Sequence, residues 1–285
     1  MEKNNRAIFK KGSRTYFYSS IFFPKRVRRD VFVLYAFVRT ADNYVDQIPP
    51  AEQSFREFCN QFNQAWQGNF SGNYIIDDFV KLAQEKDFQK EWIDAFLSSM
   101  AADLSPTNCQ TIADTLNYIY GSAEVIGLMM AKLMNLPSES YQGARLLGRA
   151  MQQINFIRDI QEDISLNRQY LPITEMKASG LELLNKDLAY SRPFEYIDFI
   201  NKQLDYYHGW QEEAEKYFHF IPWRYLLPIQ TASAMYNYTA QKIAKEPLIV
   251  FDRKIKPSKM RVVFTGLKQL IIILCSKLFL NINKK

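Results

Sequence analysis

The stretch "QQINFIRDIQEDISLNRQYLP", residues 152–172, has the apolar spacing of a helix but packs Arg158, Asp159, Glu162 and Asp163 into little more than one turn. Asp159 and Asp163 stand four apart, so on a helix they share a face, with Cβ atoms about 5–6 Å apart. Like charges at that spacing destabilise an isolated helix. Partial burial raises the cost, unless one carboxyl keeps its proton or the pair shares a cation. A second stretch, "RTADNYVDQ" at 39–47, repeats the spacing with Asp42 and Asp46 at the end of another apolar helix. Arg39 stands before that pair and Arg158 before the other. A lone D-x-x-x-D is ordinarily a solvated helix end. Two of them, each on an apolar helix and each beside an arginine, predict a cation site.

Mg²⁺ favours carboxylates, water and phosphate oxygens, and takes few protein ligands. Two facing pairs suit Mg²⁺, or Mn²⁺ in its place, gripping a diphosphate while the arginines take its remaining charge. A diphosphate held in this way is a good leaving group. Its departure from an allylic carbon leaves a carbocation, which needs a dry cavity and aromatic walls. The 21 Phe and 17 Tyr mean by themselves only an aromatic core. Beside the two acidic pairs they fit a prenyl-chain pocket.

The rest of the chain agrees with a globular protein of this kind. Its 285 residues are 47% hydrophobic, enough for one large core or two modest ones. A net charge of +6 suits anionic substrates or an anionic membrane surface. It is too weak to argue for nucleic acid, and no nucleic-acid motif occurs, so no such partner is expected. Cys59, Cys109 and Cys275 are scattered, and the opening segment lacks the apolar core of a signal peptide. Both features point to a cytoplasmic setting. The two histidines have no zinc spacing, and there is neither a G-x-G-x-x-G nor a P-loop.

Helical periods recur at 29–46, 51–66, 87–104, 111–134, 140–165, 194–218 and 223–244, punctuated by proline and glycine. Residues 173–193 read as a polar connection. No strand pairing, repeat or low-complexity linker is evident, so the expectation is one all-α domain over 1–285, its helices bundled around a central core. At the C-terminus the unbroken apolar run, residues 270–275, is far short of the roughly 20 residues of a membrane span. Residues 262–282 read equally as a last core helix or as a helix lying on a membrane surface, giving peripheral association.

Together, "RTADNYVD" (39–46), the stretch at 152–172 and "GSRTYFYSSIFFPKRVRRDVFVLYAFVR" (12–39) resemble the squalene and phytoene synthases, over about residues 10 to 265. Gln152, Asn155, Arg158, Asp159, Glu162, Asp163, Arg168, Tyr170 and Pro172 all fall in the register of that family's second motif. The resemblance implies an isoprenoid-synthase-type helical bundle around a central cavity. It implies that Asp42, Asp46, Asp159 and Asp163 hold the metal, and that Arg39, Arg158 and Arg168 contact diphosphate. Ser13, Thr15, Gln152, Asn155, Tyr170 and Tyr236 would line the substrate site, with Tyr120 close to the reacting carbons. The basic run "DRKIKPSK" (252–259) would close over phosphate. Departures from the family pattern are Gly12, where many relatives carry His, Asn43 in place of a second Asp, and Gln161 in place of Gly. None removes an outer carboxylate of either pair.

The reaction so implied joins two prenyl diphosphates head to head through a cyclopropyl diphosphate. The leading expectation is two geranylgeranyl diphosphates giving phytoene, a carotenoid precursor. The alternative is squalene or dehydrosqualene from farnesyl diphosphate, with NADPH needed only for squalene. A terpene cyclase would need one substrate and a differently spaced acidic motif. A non-catalytic membrane-assembly factor on the same fold predicts no turnover, and the intact aspartate pairs count against it.

Overall fold

The computed structural model describes residues 2–282. It begins with α1 (Glu2–Gly12), α2 (Arg14–Ser20), α3 (Lys25–Val45), α4 (Glu52–Trp66), α5 (Tyr74–Glu85) and α6 (Lys90–Ala102). Next, α7 (Ile112–Ile119) runs through a π-helical turn, Tyr120–Glu124, into α8 (Val125–Leu133). After these, α9 (Tyr141–Arg158) and α10 (Ile160–Ser165) meet at Asp159. The remaining helices are α11 (Ile173–Ala178), α12 (Lys186–Ser191), α13 (Pro193–Glu215), α14 (Trp223–Lys245), α15 (Ile249–Asp252) and α16 (Lys259–Ile282).

Local chemistry sets several helix starts. The side chains of Ser13, Asn73, Thr111 and Asn185 each accept an N–H from the first turn that follows. Thr111 and Asp114 cap each other reciprocally. Pro193 opens α13, where its missing N–H costs nothing.

Two expectations need correction. The connection at 173–193 contains α11 and α12. Thr107–Asn108 (β1) and Arg168–Gln169 (β2) pair as parallel strands. Two residues are too few to show an alternating pattern, yet the pairing pins Arg168 beside the end of α6. A further helix, α5, lies where none was expected. It buries Ile76, Phe79, Val80, Leu82 and Ala83.

Two apolar clusters flank the middle of the molecule. One gathers Phe37, Phe58, Phe62, Phe79 and Phe96 from α3 to α6, with Phe37 stacked on Phe79 at 3.8 Å. The other gathers Ile154, Ile157, Phe199, Leu204 and Ala240 from α9, α13 and α14. Each fully buried side chain of this size is worth about 1.5–3 kcal/mol. Between the clusters, α8 and α9 approach so closely that a Cβ on Gly127 would stand 2.2 Å from the Ala144 carbonyl oxygen. One on Gly148 would stand 2.6 Å from that of Ala123.

The C-terminal helix α16 packs on α2 and α14. Among the residues whose burial is described, its buried seam is Val262, Gly266 and Ile273. The opposite face carries Met260, Phe264, Leu267, Ile271 and Leu274, all exposed. The sequence posed a core helix and a surface helix as alternatives; α16 has both a packed seam and an exposed apolar stripe. Among the described residues no helix is long and apolar enough to cross a membrane.

Candidate active site

A cavity of about 1360 Å³ opens between the two clusters. The end of α3 and the junction of α9 with α10 bring the two aspartate pairs to it. Asp42, Asp46, Asp159 and Asp163 all line it, with Arg39, Arg158 and Arg168 among them. Ser13, Thr15, Gln152, Asn155, Tyr170 and Tyr236 line it too. Deeper in, the wall is apolar, with Leu34, Val38, Phe96, Met100, Met130 and Leu147.

The helix reading of residues 140–165 holds with one break. Asp159 leaves helical geometry (φ −103°, ψ 14°), ending α9 and starting α10. The Asp163 N–H still donates to the Asp159 carbonyl at 2.9 Å, so the four-residue spacing survives the break. Asp159 accepts two bonds from Arg158, one of them from Nε at 2.9 Å, and pairs with Lys254 at 3.1 Å. Burial would raise its pKa, but Arg158 and Lys254 outweigh burial and hold it below the usual carboxylate range. Asp163 has the opposite balance. Burial and the nearby Asp159 push it well above that range. Among the described residues its carboxylate makes no hydrogen bond or ion pair.

On α3, Arg39 donates to Asp42 and lies 4.0 Å from Asp46. Burial and Asp46 together push Asp42 up to about 7, against the pull of Arg39. A carboxyl with a raised pKa holds its proton in the fold and loses it in the unfolded chain, where the value is 3.8. The folded state then binds more protons between those values. The contribution of Asp42 to stability is therefore complete at low pH and is lost as pH rises from about 4 to about 7. Water screens part of the effect, since 32% of the side chain is exposed. In metal-free protein, Asp42→Asn should flatten the decline of Tm with pH across that window. Parallel Tm curves for variant and wild type would refute the assignment.

Arg168 is more committed than expected. Its guanidinium donates to Asp46 Oδ1 at 2.8 Å, to the Val45 carbonyl at 2.7 Å and to the Asp103 carbonyl at 3.0 Å. In this geometry it braces one aspartate rather than standing free for diphosphate. The Ser13 hydroxyl is engaged as the cap of α2. Gln152 accepts from the Asn155 amide at 3.3 Å. Tyr236 donates to the Tyr16 hydroxyl at 2.7 Å.

Tyr120 does not line the cavity; its ring lies 5.5 Å beneath the Arg145 guanidinium. Two residues along a helix is about 200° of rotation, so Tyr118 and Tyr120 cannot share a wall. Tyr118 takes the cavity side, with Ser122 and Ile126 following it. Sequence reasoning also missed Tyr16 and Asp103. Tyr118, Tyr170 and Phe156 form an aromatic wall, with ring centroids 4.5 Å apart for Tyr118–Tyr170 and for Phe156–Tyr170. The basic run at 252–259 does reach the mouth, where Lys254, Ile255, Lys256 and Pro257 line the cavity and Lys254 spans Asp159 and Glu162.

An all-α bundle with paired carboxylates at the mouth of an apolar cavity has the isoprenoid-synthase type of architecture. Within that class the chain belongs to the squalene/phytoene synthase family, whose match spans residues 9–261; these enzymes are prenyltransferases. The chain is similar to the 15-cis-phytoene synthase of Pantoea ananas, 26% identical over 262 residues that cover 85% of this chain and 82% of the relative. It is 24% identical to the presqualene diphosphate synthase of Zymomonas mobilis over 259 residues, 86% and 85% of the two chains. Among solved structures, a ligand-bound dehydrosqualene synthase shares the fold. It has a TM-score of 0.84 over 96% of both chains, at 22% identity.

The family uses a divalent metal with its diphosphate substrates, and the residues here fit one. Asn155 Oδ1 is buried with no partner, and the partly buried carboxylate of Asp163, lining the same cavity, makes no hydrogen bond or ion pair among the described residues. Among the described residues no three acidic side chains converge on one point. A metal would therefore take few protein oxygens and fill its shell from diphosphate and water, which is the habit of Mg²⁺.

Proposed function

We propose that this protein couples two prenyl diphosphates head to head, converting geranylgeranyl diphosphate to phytoene. The observation that supports this most is the meeting of the two aspartate pairs, with their arginines, at the mouth of one apolar cavity. The phytoene synthases among its relatives suggest the C40 product. Both apolar clusters serve that cavity, which favours one domain.

Asp42, Asp46, Asp159, Asp163 and Asn155 would hold Mg²⁺, or Mn²⁺, which when bound draws off charge from the departing diphosphate. The chain supplies the rest. Arg39 and Arg158 neutralise the anion at the mouth. Once the allylic C–O bond breaks, diphosphate leaves with the electron pair and the double bond of the second prenyl chain attacks the cation. Loss of a proton closes a cyclopropane. The second ionisation, rearrangement and proton loss give the hydrocarbon. Tyr118, Phe156 and Tyr170 present ring faces to positive charge, and the apolar walls exclude water that would quench it. The exposed stripe of α16, beside the basic Lys259, Arg261 and Lys268, would rest the protein peripherally on a membrane surface, where its prenyl substrates and product reside.

Purified protein with Mg²⁺ and equal farnesyl and geranylgeranyl diphosphate should give a C40 hydrocarbon without NADPH, identified by mass and retention. A C30 product would overturn the C40 assignment, and its dependence on NADPH would separate squalene from dehydrosqualene. No hydrocarbon from folded protein with either substrate would overturn the enzymatic reading.

A further inference from the structure

Asp103 follows α6 and is 5% exposed, yet it lines the same cavity. A buried carboxylate is costly unless charge and hydrogen bonds compensate it. Here the compensation is specific. Tyr118 donates to Asp103 Oδ2 at 2.5 Å and Tyr170 donates to Oδ1 at 2.7 Å, so each oxygen takes one phenol. Arg168 Nε, with no hydrogen-bond partner of its own, lies 3.9 Å from Oδ1. The β1–β2 pairing and the bond from Thr115 to the Tyr170 carbonyl, at 2.7 Å, fix the backbone around this group. Burial holds the Tyr118 phenol well above 10, so it keeps its proton.

A phenol has one proton to give. The Tyr118 proton is committed to Asp103, so the oxygen turns only lone pairs toward the cavity. A free phenol could turn its O–H dipole the other way and place a partial positive charge against a cation. We propose that Asp103 is a positioning residue: by taking the protons of Tyr118 and Tyr170, it fixes the Tyr118 oxygen as an electron-rich group facing the carbon that becomes positive. This rests on the prenyl-coupling reading above. The effect is of the preorganised-dipole kind, realised only as charge develops. It therefore belongs in kcat and not in substrate binding.

The test is a double-mutant cycle on the full chain with Mg²⁺ and prenyl diphosphate. Asp103→Asn replaces one acceptor oxygen with a donor amide, which turns the Tyr118 proton outward. It should lower kcat by roughly 10²-fold with KM within about threefold. Tyr118→Phe should lose a similar factor, and the double variant should be no worse than about threefold below either single. Losses that multiply would overturn the proposal. So would a raised KM with normal kcat in Asp103→Asn, which would make Asp103 only a brace for Arg168 and Asp46. Should Asp103→Asn fail to fold, Tyr118→Phe keeps the ring and its packing; unchanged kcat in that variant alone would overturn the idea. Wild-type turnover is the control. Its absence would strike the functional reading itself, whereas active wild type with a multiplicative cycle would strike only Asp103.

Discussion

Replacing Asp159 with alanine should abolish turnover, by roughly 10³-fold or more, and leave the helical circular dichroism almost unchanged. The magnitude follows from the position. Asp159 is the joint between α9 and α10, and Arg158 and Lys254 hold it below the usual carboxylate range. Removing it leaves Arg158 without its counter-charge and Lys254 with Glu162 alone, and takes an oxygen from the proposed metal site, where electrostatic contributions of several kcal/mol are usual. The fold should tolerate the change, because alanine suits a helix junction and the freed cations reach the open mouth. Near-normal activity in this variant would remove the metal-site assignment. Loss of helical signal would show instead that the carboxylate is structural.

The second large effect is expected at α16. Phe264 and Ile271 are 61% and 62% exposed, and with Leu267 they form one stripe opposite the packed seam. Burying such side chains in lipid is worth about 1.5 kcal/mol or more each, so three amount to about a thousandfold in partitioning at full burial. Changing all three to serine should weaken binding to phosphatidylglycerol vesicles by about a hundredfold or more. Activity in detergent should stay within about twofold, since none of the three lines the cavity. Cosedimentation at a series of lipid concentrations reads this directly. Undiminished binding by the triple variant would mean that the membrane contact lies elsewhere.

Much of the site was legible because its chemistry is local. A four-residue spacing survives any packing, and both aspartate pairs reached the cavity with the arginines that precede them. Asp103 was not legible. It is a lone aspartate ahead of a Leu-Ser-Pro turn, and its meaning comes from residues 168 and 170, which β1 and β2 bring beside it. The choice between Tyr118 and Tyr120 depended on helical phase next to a π turn, which a fixed 3.6-residue period does not describe. The helix α5 did carry a buried i, i+3, i+4 pattern at Ile76, Phe79 and Val80. The Gly- and Asn-rich residues before it masked that signal. Lys254 could be placed near phosphate from its charge, but its partners Asp159 and Glu162 are far away in sequence.

The meeting of α8 and α9 bears on how this chamber can change size. Gly127, Gly148, Ala123 and Ala144 all form part of its wall, and at both glycines the backbones already stand closer than a methyl group would permit. At these four positions the wall is main chain and methyl groups, with almost nothing left to trim, although Ile126, Met130 and Leu147 of the same helices add side chains to it. Mutations that lengthen the chamber must instead act on its larger side chains, such as Leu34, Val38, Phe96, Met100, Met130 and Leu147. Any mutation that enlarges Gly127 or Gly148 would move a whole helix and reshape the room for both substrates at once.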